Sequence, residues 1–199
     1  IDSIIHGLKV TLGRGMLVGE IRDIVKSKRS ALRAVENRLI LGTQKIIEGE
    51  ADKRIDLANS TLFTQFNQNM EHALEFLDAE LMTKHIRALK NDLLAQNGIT
   101  GHEILQMTKE ACNIYLFYMR NHRYTVEDSE KFIENYVKKA DNFYTTDALF
   151  VYLIQVLKES LNKVVAKKEQ EGNRPVRLAK QYIKKNFQNA ITLEDVAAQ

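Results

Sequence analysis

Residues 100–121 read TGHEILQMTKEACNIYLFYMRN, and this stretch decides the fold class. Thr100 and Glu103 stand at the T-x-x-E spacing of a capping box. The threonine hydroxyl can accept from the third backbone N–H of a helix while the glutamate reaches back to the first. Behind that start, Ile104, Leu105, Ala111, Cys112, Tyr115, Leu116 and Met119 cover more than one helical face, which predicts a buried helix ending near Asn121. Working outward, Thr125 with Asp128 repeats the start signal ahead of Val126, Ile133, Tyr136, Val137 and Ala140. Thr145-Thr146-Asp147 then opens a helix carrying Phe150, Leu153, Ile154, Leu157, Leu161 and Val164. On the other side, Asn59-Ser60 is placed to cap a short helix through Met70. Leu74, Leu77, Leu81, Ile86, Leu89 and Leu93 mark a longer helix closing near Asn97-Gly98. A single proline and nine glycines in 199 residues leave little to break these helices.

The first fifty residues follow a different pattern. Leu8–Leu12 (LKVTL) alternates, with β-branched Val10 and Thr11, so a short strand is expected, with Gly13-Arg14-Gly15 as the turn after it. Ile21, Ile24, Val25, Leu32, Val35 and Leu39 recur at helical spacing up to Leu41, and Gly42 sits where a C-terminal glycine cap belongs. The KIIE run at 45–48 is a second candidate strand. The expected fold is therefore mainly α: a helical bundle with a short N-terminal strand-helix-strand remnant of an α/β domain.

Composition narrows the functional classes. Hydrophobic residues make up 44% and charged residues 28%, which suits a globular chain that buries its own core. The single cysteine, Cys112, forms no internal disulfide and is compatible with a reducing, cytoplasmic address. The longest apolar run, ALFVYLIQVL at 148–157, is shorter than the roughly 20 residues of a membrane helix, so no membrane role is expected. The N-terminus has neither the pattern of a secretory signal nor an initiating Met, so the expected start lies upstream. Net charge is only +3, yet Lys158, Lys163, Lys167, Lys168, Arg174, Arg177, Lys180, Lys184 and Lys185 crowd one end against few acids. Such an asymmetry fits a polyanionic partner, and equally a solvated basic linker.

Residues 167–173 (KKEQEGN) are polar throughout and read as a linker. Pro175 then stands in the first turn of a helix, where its missing N–H costs nothing. Val176, Ala179, Ile183 and Phe187 form the apolar stripe of that helix, with Arg174, Arg177, Gln181 and Lys184 on another side. Thr192 is placed to cap a last helix, 193–199. The string RPVRLAKQYIKKNFQNAITLEDVAAQ resembles the opening of an AraC-family DNA-binding domain, through Tyr182, Ile183, Asn186, Phe187, Ile191, Thr192, Leu193, Val196 and Ala197. That resemblance implies a domain of two helix-turn-helix units, whose second helices enter the major groove. Only the front of the first unit is matched, so no base-reading residue is expected in this chain. Arg174, Arg177, Lys184 and the Thr192 helix start are the expected contacts to the DNA backbone.

The remaining segments resemble YesN-like two-component response regulators, in which a receiver domain, a degenerate GGDEF-like domain and a helical linker precede the AraC-type domain. LKVTLGRG with residues 20–50 is similar to the closing strand, helix and strand of the degenerate domain, and the helices of 60–165, including HALEFLDAEL, to the linker. The organisation implied is 1–56 as the end of the α/β domain, 57–166 as a helical signalling domain, 167–173 as linker and 174–199 as the incomplete DNA-binding domain. DNA, an upstream receiver or sensory domain and a second copy in a homodimer are the partners implied.

No enzyme, metal or cofactor site is expected. His6, His72, His85, His102 and His122 are scattered without ligand spacing, and Cys112 lies on an apolar helix without a second cysteine nearby. The Gly13-Arg14-Gly15 run lacks the spacing of a phosphate loop, and the metal carboxylates and GGDEF turn of a diguanylate cyclase are missing. Glu127-Asp128 and Glu194-Asp195 fall in first turns of expected helices, where the macrodipole favours negative charge. Tyr115, Phe117, Tyr118 and Met119 read first as core, with a ligand pocket as the other reading. The alternative to a regulator is a free-standing helical protein-interaction or small-molecule-sensing domain with a basic tail.

Overall fold

The structure, a computed structural model, describes residues 10–50, 61–172, 174–186 and 192–197, and for 172, 174–177 and 196–197 the backbone alone. The described residues are mainly helical, with two short strands among them. Strand β1 (Leu12–Arg14) pairs in parallel with β2 (Ile46–Glu48), Leu12 opposite Ile46 and Arg14 opposite Glu48. The crossover between them is a single 3-10 turn at Ile21–Asp23 running into α1 (Ile24–Glu36), then α2 (Arg38–Leu41), which ends at Gly42 with φ 86°.

The strand-helix-strand expectation is met, with one correction. Gly13 and Arg14 are strand rather than turn, and the observed strand begins at Leu12; Leu8 and Lys9 lie outside the described residues. The reason is distant packing. A Cβ on Gly13 would lie 2.1 Å from the Ala31 carbonyl oxygen, and one on Gly15 would lie 2.4 Å from that of Ser27. The glycines let β1 lie directly on the backbone of α1. Ser30, buried at that contact, accepts from the Met16 N–H (2.8 Å) and donates to the Ser27 carbonyl (2.9 Å). The unit is left apolar outside: Leu12, Leu17, Ile21, Ile24, Val25, Leu32 and Ile46 are exposed, which is unusual for parallel strands, normally covered on both faces.

The bundle consists of α3 (Thr61–Glu75), α4 (Ala79–Leu94), α5 (Gly101–Asn121), α6 (Phe132–Ala140) and α7 (Thr146–Gly172). Helix α3 packs on α4 and α5, both α4 and α5 pack on α7, and α6 packs on α5 and α7. Their shared core includes Met70, Leu74, Ile86, Leu93, Ile104, Tyr115, Met119, Leu149, Phe150 and Leu157. Helix α5 starts and ends as the sequence predicts. The Glu103 N–H donates to Thr100 Oγ1 (3.3 Å), and the Thr100 N–H donates to the Glu103 carboxylate (2.8 Å).

Three boundaries differ from expectation. The break between α3 and α4 falls at 76–78 rather than after Met70: Leu77 turns left-handed (φ 51°), and Asp78 caps α4 by accepting from the Glu80 and Leu81 N–H groups, each at 2.9 Å. The Asn59-Ser60 cap lies outside the described residues. Helix α6 begins at Phe132, because Asp128 is left-handed (φ 51°) and interrupts any helix started at Thr125. Helix α7 does not stop before the polar run but carries 167–172 as its last turns. Lys, Glu and Gln are good helix formers, and their polarity marks exposure rather than the absence of helix. Val164 is the last core residue of α7.

Candidate functional site

The expected DNA contacts lie at the end of the chain. Helix α8 (Arg174–Asn186) follows α7, with Pro175 in its first turn, and packs against α7 and α9 (Leu193–Ala197). None of its described residues joins the core. Arg174 and Arg177 belong to the first turns of α8, and Lys184 is exposed in its last turn beside Lys185. Phe187 and Ile191, part of the resemblance, lie outside the described residues.

Thr192 sits at the start of α9 as expected. Its hydroxyl accepts from the Asp195 N–H (3.2 Å) and donates to the Asp195 carboxylate (2.8 Å), which also takes the Thr192 N–H (2.9 Å). These bonds hold the Asp195 carboxyl below its ordinary pKa. The Thr192 hydroxyl and N–H are therefore engaged by Asp195 within the chain, and a phosphate would have to compete for them.

A second constellation escaped the sequence reading. Arg38, 7% exposed, lies where the α/β unit meets the bundle. Its Nε donates to the Phe143 carbonyl (3.1 Å), Nη1 to the Val35 carbonyl (3.1 Å) and Nη2 to the Asp141 carbonyl. Asp141 closes α6, so the guanidinium meets free carbonyls at that end and in the following loop. Beside it, the Thr146 hydroxyl donates to the Leu39 carbonyl (2.9 Å), and Leu39 enters the bundle core. The Asn37 Oδ1 accepts from the Gly101 N–H (2.8 Å), and Glu36 pairs with His102 Nδ1 at 2.8 Å. A Cβ on Gly101 would lie 2.0 Å from the Glu36 carbonyl oxygen. The end of α1 is thus seated on the N-terminus of α5 and the α6–α7 loop. No sequence signal marks this, because the bundle carbonyls that Arg38 meets, those of Asp141 and Phe143, lie more than a hundred residues away.

The remaining candidate groups are separate. His72 meets Phe76 at a tilt, with ring centroids 5.3 Å apart, and His122 stacks on Tyr118 at 4.0 Å, while His6 lies outside the described residues. Burial, the Lys84 charge and the His72 charge hold the His85 pKa below its ordinary value. Among the described residues no three His, Cys, Asp or Glu side chains gather as a metal site. Burial pushes the Cys112 thiol far above its ordinary pKa, so it is not primed as a nucleophile. The Tyr115 hydroxyl donates to Ser160 Oγ (2.8 Å), and burial pushes its pKa up to about 12. The aromatic stripe divides: Tyr115 and Met119 are core, whereas Phe117 is 67% exposed and lines a cleft with Tyr118. Among the described residues no helix is long and apolar enough to cross a membrane. Neither a protein-family model, a curated protein nor a solved structure matches this chain.

Proposed function

We propose that this chain belongs to a DNA-binding transcription regulator of the AraC type, a two-component response regulator. Its helical body passes the state of an upstream receiver or sensory module to a C-terminal DNA-binding domain in the cytoplasm, as a homodimer in the active state. The observation that carries the reading is the basic helix α8 with its Thr192-capped successor. Both lie beyond the last core residue of α7, and their sequence follows the AraC-type opening. The Arg38 joint adds a means of transmission, since an α/β unit gripped through carbonyls of the α6–α7 loop cannot shift without disturbing that loop. The exposed apolar groups of the α/β unit fit its being part of a larger α/β domain.

The test is a fluorescence-anisotropy titration of labelled duplex DNA with the 199-residue chain. The reading expects weak binding at low salt, with a Kd on the order of 10⁻⁴ to 10⁻⁶ M, equal for promoter and random duplexes. Combined Arg174→Gln, Arg177→Gln and Lys184→Gln replacement should abolish it. Binding untouched by the triple variant, or none in low salt, would instead favour a free-standing interaction or sensing module.

A further inference from the structure

A cleft of about 350 Å³ opens between α3 and α5, within the size range of small-ligand sites. Helix α3 contributes Asn67 and Glu71, one turn apart. Helix α5 contributes two adjacent rows at four-residue spacing, Asn113, Phe117 and Asn121 beside Ile114, Tyr118 and His122. The lining is thereby largely apolar and aromatic, with amide groups from both helices, one carboxylate from α3 and one imidazole from α5.

The charge of this lining is one-sided. Glu71 makes no ion pair or hydrogen bond among the described residues, and neither Lys nor Arg lines the cleft. Asn113 donates to Glu110 (3.1 Å), which leaves its amide oxygen as an acceptor. The Tyr118 pKa is raised first by burial, then by its neighbours, the Glu75 and Glu71 carboxylates among them. Phe117 leaves its ring largely in solvent on a helix whose next two residues are buried. A carboxylate beside exposed aromatic surface is suited to a cation, which gains Coulomb attraction from one and the ring quadrupole from the other. An anion would meet repulsion from Glu71, with His122 as the one basic side chain of the lining.

We propose that the α3–α5 cleft binds a small organic amine in its protonated form, with Glu71 as counter-ion, Phe117 and Tyr118 against its carbon body and the asparagine amides accepting its remaining N–H groups. The site is independent of the DNA reading and stands or falls separately. The test uses the 199-residue chain with tyramine, agmatine and spermidine as probes, and glucose and citrate as neutral and anionic comparisons. Thermal unfolding midpoint and calorimetric titration are the readouts. At millimolar concentration at least one amine should raise the midpoint by a few degrees, while glucose and citrate leave it in place. Glu71→Gln and Phe117→Ala should each weaken that amine about tenfold or more, and circular dichroism should show both variants folded as the parent. The proposal is overturned if none of the three amines shifts the midpoint, if glucose or citrate acts as strongly, or if Glu71→Gln binds the amine as the parent does.

Discussion

Replacing Arg38 with alanine removes three donors at once from the joint between the α/β unit and the bundle. The Phe143 and Val35 carbonyls each lose a bond of 3.1 Å, and the Asp141 carbonyl loses a third. A hydrogen bond to a charged group contributes about 1.5–3 kcal/mol net, but the three share one side chain and are not additive. Loop carbonyls such as Phe143 can also turn to water once the guanidinium is gone. A total loss of roughly 2–4 kcal/mol follows. With a urea slope of about 1–3 kcal/mol/M for a small protein, the midpoint should fall by on the order of 1–2 M. Urea unfolding followed by circular dichroism measures the loss. Hydrogen exchange then locates it: amides of 24–41 and of the α6–α7 loop should exchange faster, while those of α4 and the middle of α5 stay protected. Arg38→Lys, which keeps the charge but loses the planar fork, should fall between. A loss below about 0.5 kcal/mol, the size of an ordinary surface substitution, would refute the view that Arg38 holds the two units together.

Three further expectations follow from particular contacts. Gly101→Ala places a Cβ 2.0 Å from the Glu36 carbonyl oxygen, so the joint must open, at a cost of roughly 1–3 kcal/mol in urea unfolding. The Tyr136 hydroxyl is buried with no hydrogen bond of ordinary geometry among the described residues; the Thr108 hydroxyl, which donates to the Leu105 carbonyl and keeps its acceptor lone pairs, eases the burial-driven rise of the Tyr136 pKa. Tyr136→Phe should therefore be neutral or stabilising by thermal unfolding, and a clear loss of midpoint would show that the hydroxyl is bonded. Because the folded state holds the His85 pKa below 6.5, its contribution to stability is complete above pH 6.5 and is lost as pH falls through the folded value. Unfolding midpoints measured across that window should drop on acidification, and His85→Gln should flatten the drop.

Local chemistry was legible in the sequence, and distant chemistry was not. The α5 start could be read because Thr100 and Glu103 are three residues apart and satisfy each other. The Thr192 cap could be read for the same reason, although not that Asp195 would take the Thr192 hydroxyl and N–H. The α3–α4 break was misplaced because Leu74, Leu77 and Leu81 keep helical spacing across it, and nothing in a leucine announces a left-handed backbone. Gly13 and Gly15 looked like a turn because their reason for being glycine is a helix lying a dozen or more residues onward. Phe117 and Asn113 were visible on α5, but the asparagine and carboxylate facing them come from α3, so the cleft exists only after folding.

Photo-crosslinking of duplex DNA to the chain, followed by peptide mapping, tests the central claim most directly. The account predicts cross-links confined to peptides from α8 and the segment leading into α9, at Arg174 through Thr192. Cross-links spread over α3–α7 or on the β1–β2 unit, with none at α8, would contradict it.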